Sequence, residues 1–415
     1  MSTSEEITDQ RRTPDGLTES EYREHVRAWL AAKVEPAVDA EPFSVIHWMR
    51  SPEEEAAQHE RWCDLQARLH EGGFVGITVP AEYGGQGGEP WMEQIYAEES
   101  AGWAVNTGFF KSLVGMAAPA MLMFGTEEQK LAHLPTMLTG TTGWCQLFSE
   151  PGAGSDLAGL ACRAELDGDE WVVNGQKVWN SSAAHADKGL LLARTRPEAP
   201  KHKGITFLLI DMHADGVEVR PLVQAHGASD FCEVFLQDVR VPVDAVLGEV
   251  DQGWGPARMV MAGESTIIGG GGVDRFHELS LMARDRGRLD DPVIRQDLAR
   301  AYTRQHLLGW MANRLMDAAR SGDPLPFDPS VVKLFVAQNW REHGDLASRL
   351  LGPACAADTH PGSAWGMELT HLRYAISIGG GTDEVHRNNV GERALGLPHG
   401  PRPGKDTPWF EVPRN

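Results

Sequence analysis

The sequence predicts an α+β protein of several domains, in which an N-terminal α-helical domain is followed by a middle antiparallel β domain and a C-terminal helical bundle. Length is the first reason, because 415 residues are more than one hydrophobic core usually holds. Periodicity is the second. Apolar residues recur at helical three- and four-residue steps near both ends of the chain, whereas residues 143–250 alternate with period two.

Local signals justify the elements in order. Stretches such as SEYREHVRAWLAAKV predict helices in the first domain, and stretches such as CEVFLQDVRVP predict short strands in the second. Asn174 and Gly175 form a hairpin signal between two strands of a small barrel or sandwich. The long helical pattern that follows suits a bundle. The predicted divisions are a tail (1–17), the helical domain (18–142), the β domain (143–252), the bundle (253–400) and an extended tail (401–415).

Composition excludes several classes of protein. A formal net charge of -21 argues against nonspecific binding of nucleic acid, because a polyanion would be repelled over most of the surface. The 5 cysteines show no metal-binding or disulfide spacing, which favours a reducing, cytoplasmic setting. The polar, acidic N-terminus does not resemble a targeting signal, and no apolar run reaches the roughly 18 residues of a membrane span.

The first candidate site is a glycine-rich loop, CQLFSEPGAGSDLAG. Its backbone N–H groups at Gly152 and Gly154 and the Ser155 hydroxyl suit a pyrophosphate, and Ser149 can hydrogen-bond the edge of a flat heterocycle. An ordinary glycine turn would look the same, and is the preferred interpretation of this loop taken alone.

The second candidate is Trp179 with Asn180 and Ser181, which offers an aromatic wall beside polar groups. A tryptophan of the hydrophobic core would give the same pattern, so this stretch decides nothing by itself.

The third candidate is SIGGGTDEVHR. Glycines 379–381 remove every side chain immediately before a predicted helix, with Thr382 as N-cap and Asp383 and Glu384 in the first turn. A bare surface at a helix start suits a ring that becomes anionic, such as a reduced flavin. Glycines required only for positive φ are an equally weighted alternative.

Taken in order, five stretches resemble the successive signatures of the acyl-CoA dehydrogenase family: FGTEEQKLAHLPTMLTG, FSEPGAGSDLAG, WVVNGQKVWNSS, FLQDVRVP and GGGTDEVHRNNVGERALGLP. The resemblance covers about residues 20 to 400. It implies a four-helix C-terminal bundle, and FAD between the β domain and that bundle with its adenosine end reaching a neighbouring subunit. Further implications are a homodimer or homotetramer, with a heterotetramer also allowed, and an electron-transfer flavoprotein as reoxidant.

The same resemblance assigns roles to individual residues. It implies that FAD is contacted by Gln146, Phe148, Ser149, Gly154, Ser155, Trp179, Ser181, Arg284, Thr382 and Glu384. It also implies that the substrate lies beside Gly379, Gly380 and Ser155. The pattern departs from the family after Arg284, where a Phe-Gly pair is missing, and at RLLGPACA, which lacks the usual Gln-x-x-Gly-Gly.

The implied reaction is α,β-dehydrogenation of an acyl thioester, carried by coenzyme A or an acyl-carrier protein, and it requires a carboxylate base. Many relatives have that glutamate where this chain has Gly380. Other branches carry it on the first helix of the C-terminal domain, and Glu264 stands at the matching place among apolar neighbours such as Met261 and Ile267. We therefore predict Glu264 as the base, with a solvated surface glutamate as the alternative.

A run of glycines and two alternative functions complete the sequence-based predictions. Glycines 269–272 interrupt a predicted helix at about 1 kcal/mol each relative to alanine, which suggests room for a bulky acyl group or tight helix packing. Two other functions stay open as well: a flavin oxidase or monooxygenase on the same scaffold, and a noncatalytic subunit of a heteromeric dehydrogenase, which the glycine at position 380 would suit.

Overall fold

The computed structural model describes most of the chain and confirms the predicted order of domains. The described residues are 11–37, 52–225, 227–270, 275–357, 359–401, 404 and 406–413. An N-terminal helical domain, a middle β domain and a C-terminal helical region follow one another. Two of the four glycines at positions 269–272 lie outside the described residues.

The N-terminal domain is built from amphipathic helices with clear start signals. Its helices are α1 (Glu19–Lys33), α2 (Pro52–Glu71), α3 (Pro90–Ser100), α4 (Phe109–Phe124) and α5 (Glu127–Thr139). Thr18 and Thr126 each accept a hydrogen bond from the backbone N–H three residues later, in a capping box. The buried faces meet in a core that includes Leu30, Met121 and Leu134.

The middle domain is a single sheet in the part of the chain that the structure describes. Its strands are β1 (Trp144–Leu147), β2 (Arg163–Asp167), β3 (Glu170–Ser181), β4 (Lys188–Arg194), β5 (Ile205–Asp211), β6 (Val217–Leu222) and β7 (Phe231–Pro242). The order is β1-β4-β2-β3-β7-β6, with β5 paired to β4. Pairing is mostly antiparallel, although β1 and β2 each run parallel to β4.

The hairpin predicted at Asn174 and Gly175 is wrong, because β3 continues through both residues. The turn lies instead between β2 and β3, where Gly168 has φ 69°. Asn174 and Gly175 sit at a register shift against β7. The Asn174 side chain donates to Asp238 Oδ1 at 3.0 Å, and a Cβ on Gly175 would come within 2.7 Å of Cys162. The pair therefore serves a bulge and a close approach between strands.

The C-terminal region is helical. Its helices are α6 (Trp254–Gly270), α7 (Phe276–Asp285), α8 (Pro292–Ser321), α9 (Ser330–Leu351), α10 (Ala354–Ala357), α11 (Ser363–Ile378) and α12 (Asp383–Asn389). Buried Leu346, Leu350 and Trp365 form the centre of its core. Helix α6 packs closely on α4, because a Cβ on Gly263 would lie 3.1 Å from the Met116 Cα. The side chain of the next residue, Glu264, lies within 3.4 Å of the Gln146 amide in the β domain.

The end of the chain returns to the β domain. A short 3-10 helix spans Trp409–Glu411, and the Trp409 indole N–H donates to the Gly159 carbonyl at 3.2 Å. The Arg194 guanidinium lies 4.8 Å from the centre of the same ring. Among the described residues, no helix is long and apolar enough to cross a membrane, and no cluster of metal-ligating side chains is found.

Candidate active site

The end of β1 is held against the end of β3. The Asn180 side chain donates to the Gln146 carbonyl at 2.7 Å, and Val178 N–H donates to the Ser149 carbonyl at 2.9 Å. Phe148 is buried and packs edge-on against Phe207, with ring centres 5.7 Å apart. The backbone at half-buried Gln146 is thereby fixed at the edge of the sheet.

Trp179 occupies an unusual backbone position at this place. It has φ 64°, at a register shift between Val178 and Asn180, and its side chain is 61% exposed. A bulky residue in the left-handed region costs on the order of 1–3 kcal/mol, and such strain concentrates at ligand sites. Phe231 contacts one edge of the ring, with centres 6.0 Å apart. The bulge therefore presents an indole surface to solvent, and Ser181 is exposed two residues further on.

The glycine-rich loop after β1 is braced by a buried ion pair. Lys177 is fully buried and donates to Glu150 at 2.8 Å and to the Phe148 carbonyl at 3.0 Å. Glu150 also accepts hydrogen bonds from the N–H groups of Ala161 and Cys162, at 2.7 and 2.8 Å. These bonds fix both ends of the loop.

The tip of this braced loop is open. Gly154 and Ser155 are both exposed. A Cβ on Gly154 would meet no protein atom within 4 Å, so the glycine leaves space on the outer side of the loop. The loop has the exposed N–H groups and hydroxyl that anion binding requires.

Glu264 lies where α6, β1 and the glycine loop before α12 meet. Its carboxylate accepts a hydrogen bond from the Gln146 side-chain amide at 3.4 Å, and the Gly380 backbone N–H lies near enough to favour the ionised form. Burial raises the pKa of Glu264 above its ordinary value, while these two donors and the nearby Lys333 charge act in the opposite direction. The position that lacks an acid side chain thus supplies a backbone donor to the acid on α6.

The glycine loop itself depends on positive φ, which is 65° at Gly380 and 90° at Gly381. The ring of buried His386 lies 2.9 Å from the Gly380 carbonyl, and Thr382 caps α12 by accepting from Val385 N–H at 3.2 Å. Buried Asp383 pairs with Arg341 at 2.5 Å. The path of the loop is therefore set by side chains from α9 and α12.

The structure brings some of the predicted residues together and leaves others apart. Gln146, Glu264 and Gly380 are in direct contact, and Phe148, Ser149 and Trp179 surround the same end of the sheet. Arg284 is exposed in the last turn of α7, and Glu384 is exposed and pairs with Arg387 at 3.0 Å. No contact described in the structure joins either residue to Glu264.

Sequence reasoning missed the buried side chains of Lys177 and Lys333, and the contact of Asn180 with the Gln146 carbonyl. Lys177 had a usable signal, because the alternation of β3 places it at an inward position. Lys333 stands within VVKLFV, where apolar neighbours on both sides mark a buried stretch of helix. A charged residue at a buried position requires a partner, and that requirement could have singled out both lysines.

Three family models match the chain in succession. They are the acyl-CoA dehydrogenase N-terminal domain over residues 17–141, the middle domain over 145–239 and the C-terminal domain over 251–395. All three models describe domains of one class of enzyme, the flavoprotein oxidoreductases that act on acyl-CoA.

Individual relatives match most of the chain. Acyl-CoA dehydrogenase IpdE1 of Mycobacterium tuberculosis is 36% identical over 392 residues, which cover 91% of this chain and 97% of the relative. The solved structure of the Tcur3481-Tcur3483 steroid ACAD is 30% identical, with a TM-score of 0.71 and coverage of 92% and 98%. The ChsE4-ChsE5 complex of Mycobacterium tuberculosis is 29% identical, with a TM-score of 0.71 and coverage of 94% and 100%. The chain belongs to the acyl-CoA dehydrogenase family.

The raised pKa of Glu264 predicts a pH-dependent effect on stability. A carboxyl group whose pKa is raised on folding contributes stability below its unfolded pKa and loses it as pH rises through the folded pKa. Glu264→Gln cannot titrate, so its Tm should exceed that of the wild type by a few degrees at neutral pH, and the difference should shrink as pH falls. Thermal unfolding across this range measures the effect. A difference that is constant with pH, or that shrinks as pH rises, would contradict it.

Proposed function

We propose that the chain catalyses FAD-dependent α,β-dehydrogenation of an acyl-CoA thioester, with Glu264 as the base that removes the α proton. The observation that carries the proposal is the Glu264 carboxylate, which accepts from the Gln146 amide at the edge of the β domain and lies beside the glycine loop. A general base must have a pKa near the working pH, and the partial burial that raises the pKa of Glu264 supports that requirement.

The residues around Glu264 fit the flavin ring of FAD. Exposed Trp179 offers a flat wall on a strained bulge, and Gln146, Phe148 and Ser149 line the neighbouring strand end. The open side of Gly154 and the Ser155 hydroxyl suit the pyrophosphate, with Ser181 and Thr382 as further polar contacts. When bound there, FAD would accept the hydride that leaves the substrate's β carbon.

Within this arrangement, the chain's own groups have distinct tasks. The Glu264 carboxylate takes the α proton, and the Gln146 amide orients it by donating to Oε2, with the Gly380 N–H nearby. The bare backbone of Gly379 and Gly380 leaves room for the thioester beside the carboxylate, with Ser155 at the other side of the site. Removal of water on substrate binding would raise the basicity of the carboxylate further.

We also propose that part of the cofactor site lies at an interface between subunits. Arg284 and Glu384 are exposed and have no described contact with Glu264, so we assign them to the adenosine side of FAD in an oligomer. A homodimer or homotetramer would complete that site, and a pairing of two different chains is the other arrangement to test, since the similar ChsE4-ChsE5 structure is a complex. An electron-transfer flavoprotein is the proposed electron acceptor.

A panel of acyl-CoA thioesters, mixed anaerobically with the FAD-loaded protein, tests the function through loss of the oxidised flavin colour. The panel should include straight-chain, branched and steroid-derived acyl groups, because the similar Tcur3481-Tcur3483 protein is a steroid ACAD. Bleaching by any member supports the proposal. Bleaching by none, or only after a second chain is added, favours a noncatalytic subunit, and rapid reoxidation by air favours an oxidase.

Trp179 provides a separate test of the cofactor site. Trp179→Gly should relieve the left-handed strain and remove the aromatic wall, so the Kd for FAD should rise about tenfold while the flavin-free protein keeps or gains thermal stability. Trp179→Phe is the matched control, because it keeps a ring at the same backbone position. Titration of apoprotein with FAD measures both. An unchanged Kd in the glycine variant would remove Trp179 from the site.

A further inference from the structure

Lys333 on α9 is a buried cation that takes no direct part in the proposed reaction. Its side chain is 2% exposed, and its ammonium donates to the Ile376 carbonyl at 2.5 Å and to the Gly381 carbonyl at 3.3 Å. Ile376 lies in the last turn of α11, where carbonyl groups lack partners within the helix. The ammonium therefore joins the end of α11 to the glycine loop that follows it.

The glycine loop that Lys333 contacts lies beside Glu264, the proposed base. Gly381 follows Gly380, whose N–H lies near Glu264, so the bond from Lys333 to the Gly381 carbonyl restrains the part of the glycine loop next to the base. The Lys333 charge also acts on Glu264 and favours its ionised form. Burial in turn lowers the pKa of Lys333, an effect that the nearby carboxylates oppose.

Other charged and titratable groups surround the same place. They are Arg341 on α9, Asp328 in the segment before α9, Asp383 and His386 on α12, and Glu264 on α6. Asp383 is paired with Arg341 at 2.5 Å, which offsets its charge. Burial lowers the pKa of His386, which limits its positive charge.

We propose that Lys333 is a positioning residue for this reaction: its ammonium holds the end of α11 and the Gly381 carbonyl together, and so holds the glycine loop and a positive charge beside Glu264. The inference rests on the proposed function of Glu264 and extends it to a residue that does not touch the substrate. A lysine that only satisfied two carbonyls would stabilise the fold without altering the titration of Glu264.

The test compares variants that separate charge from hydrogen bonding. Lys333→Gln keeps N–H donors without the charge, and Lys333→Arg keeps the charge. Lys333→Met, whose unbranched stem fills similar space, replaces the glutamine variant if that does not fold. Lys130→Gln, at a surface pair with Glu127 (2.8 Å), is the control for loss of one lysine charge.

Two readouts are needed. In the pH profile of kcat, Lys333→Gln should be roughly tenfold slower than the wild type on the acid limb and close to it on the alkaline plateau, whereas Lys333→Arg should follow the wild type. The infrared titration of the Glu264 carboxyl, assigned by its loss in Glu264→Gln, should move to higher pH in Lys333→Gln without any substrate present.

A rate that falls equally at every pH, with an unchanged carboxyl titration, would overturn the proposal and leave Lys333 a purely structural role. Failure of the proposed function would look different, because wild-type protein would then not be bleached by any thioester. The infrared titration still decides the effect of Lys333 on Glu264 in that case.

Discussion

Glu264→Gln is expected to lower kcat for acyl-CoA oxidation by about 10²- to 10⁴-fold, the usual contribution of a positioned general base. Glutamine keeps the length of the side chain and its carbonyl oxygen can still accept from the Gln146 amide, so the site should keep its shape. The affinity for FAD should therefore stay close to that of the wild type. Turnover with an artificial electron acceptor measures the first effect, and flavin titration measures the second.

Two further variants test whether the expected loss of activity is specific to the Glu264 carboxylate. Glu264→Asp keeps a carboxylate but withdraws it by one methylene group, so its rate should fall between those of wild type and Glu264→Gln. Glu342→Gln on α9 is the control, because that carboxylate lies near the surface and accepts from Gln338 at 2.9 Å. A Glu264→Gln enzyme with wild-type turnover would show that another group removes the proton.

Lys177→Met is expected to have the largest effect on stability, a loss of about 3–5 kcal/mol in the free energy of unfolding. The substitution leaves the Glu150 carboxylate, which is only 9% exposed, without its cation and the Phe148 carbonyl without a donor. Because both groups brace the glycine-rich loop, the affinity for FAD should also fall. Urea denaturation measures the first change, and flavin titration measures the second.

A matched variant and a double variant separate the ion pair from general effects. Lys188→Met removes a lysine that pairs with Asp211 at 3.0 Å near the surface, and should cost less than about 1 kcal/mol. Lys177→Met combined with Glu150→Gln should be more stable than Lys177→Met alone, since no unpaired charge remains buried. Equal losses for Lys177→Met and Lys188→Met would contradict the importance of the buried pair.

The fold could be predicted because the spacing of apolar residues follows the buried face of each helix and strand, and this signal repeats over many residues. The helices around Leu30 and Leu134 and the alternation of β3 are repeated signals of this kind. The hairpin at Asn174 and Gly175 failed because one dipeptide serves both turns and bulges, and only the pairing of β3 with β7 distinguishes them.

The candidate site was only partly accessible from the sequence. Gly380 could be recognised as a missing acid, but its position beside Glu264 depends on the left-handed φ of the loop and on the tertiary packing of α6. The exposure of Trp179 likewise comes from a bulge that no local pattern indicates. Lys333 was missed because its partners are carbonyl groups more than forty residues away, at Ile376 and Gly381.

The measurement that tests the role of Glu264 most directly is exchange of the substrate's α hydrogens. An acyl-CoA with sulfur in place of the β carbon can lose an α proton but has no β hydrogen to transfer, so exchange isolates the proposed base. Mass spectrometry should show α-deuterium loss to water with wild-type protein and loss at the rate without protein for Glu264→Gln. Equal exchange by both proteins, or no exchange by wild type that binds the thioester, would contradict Glu264 as the base.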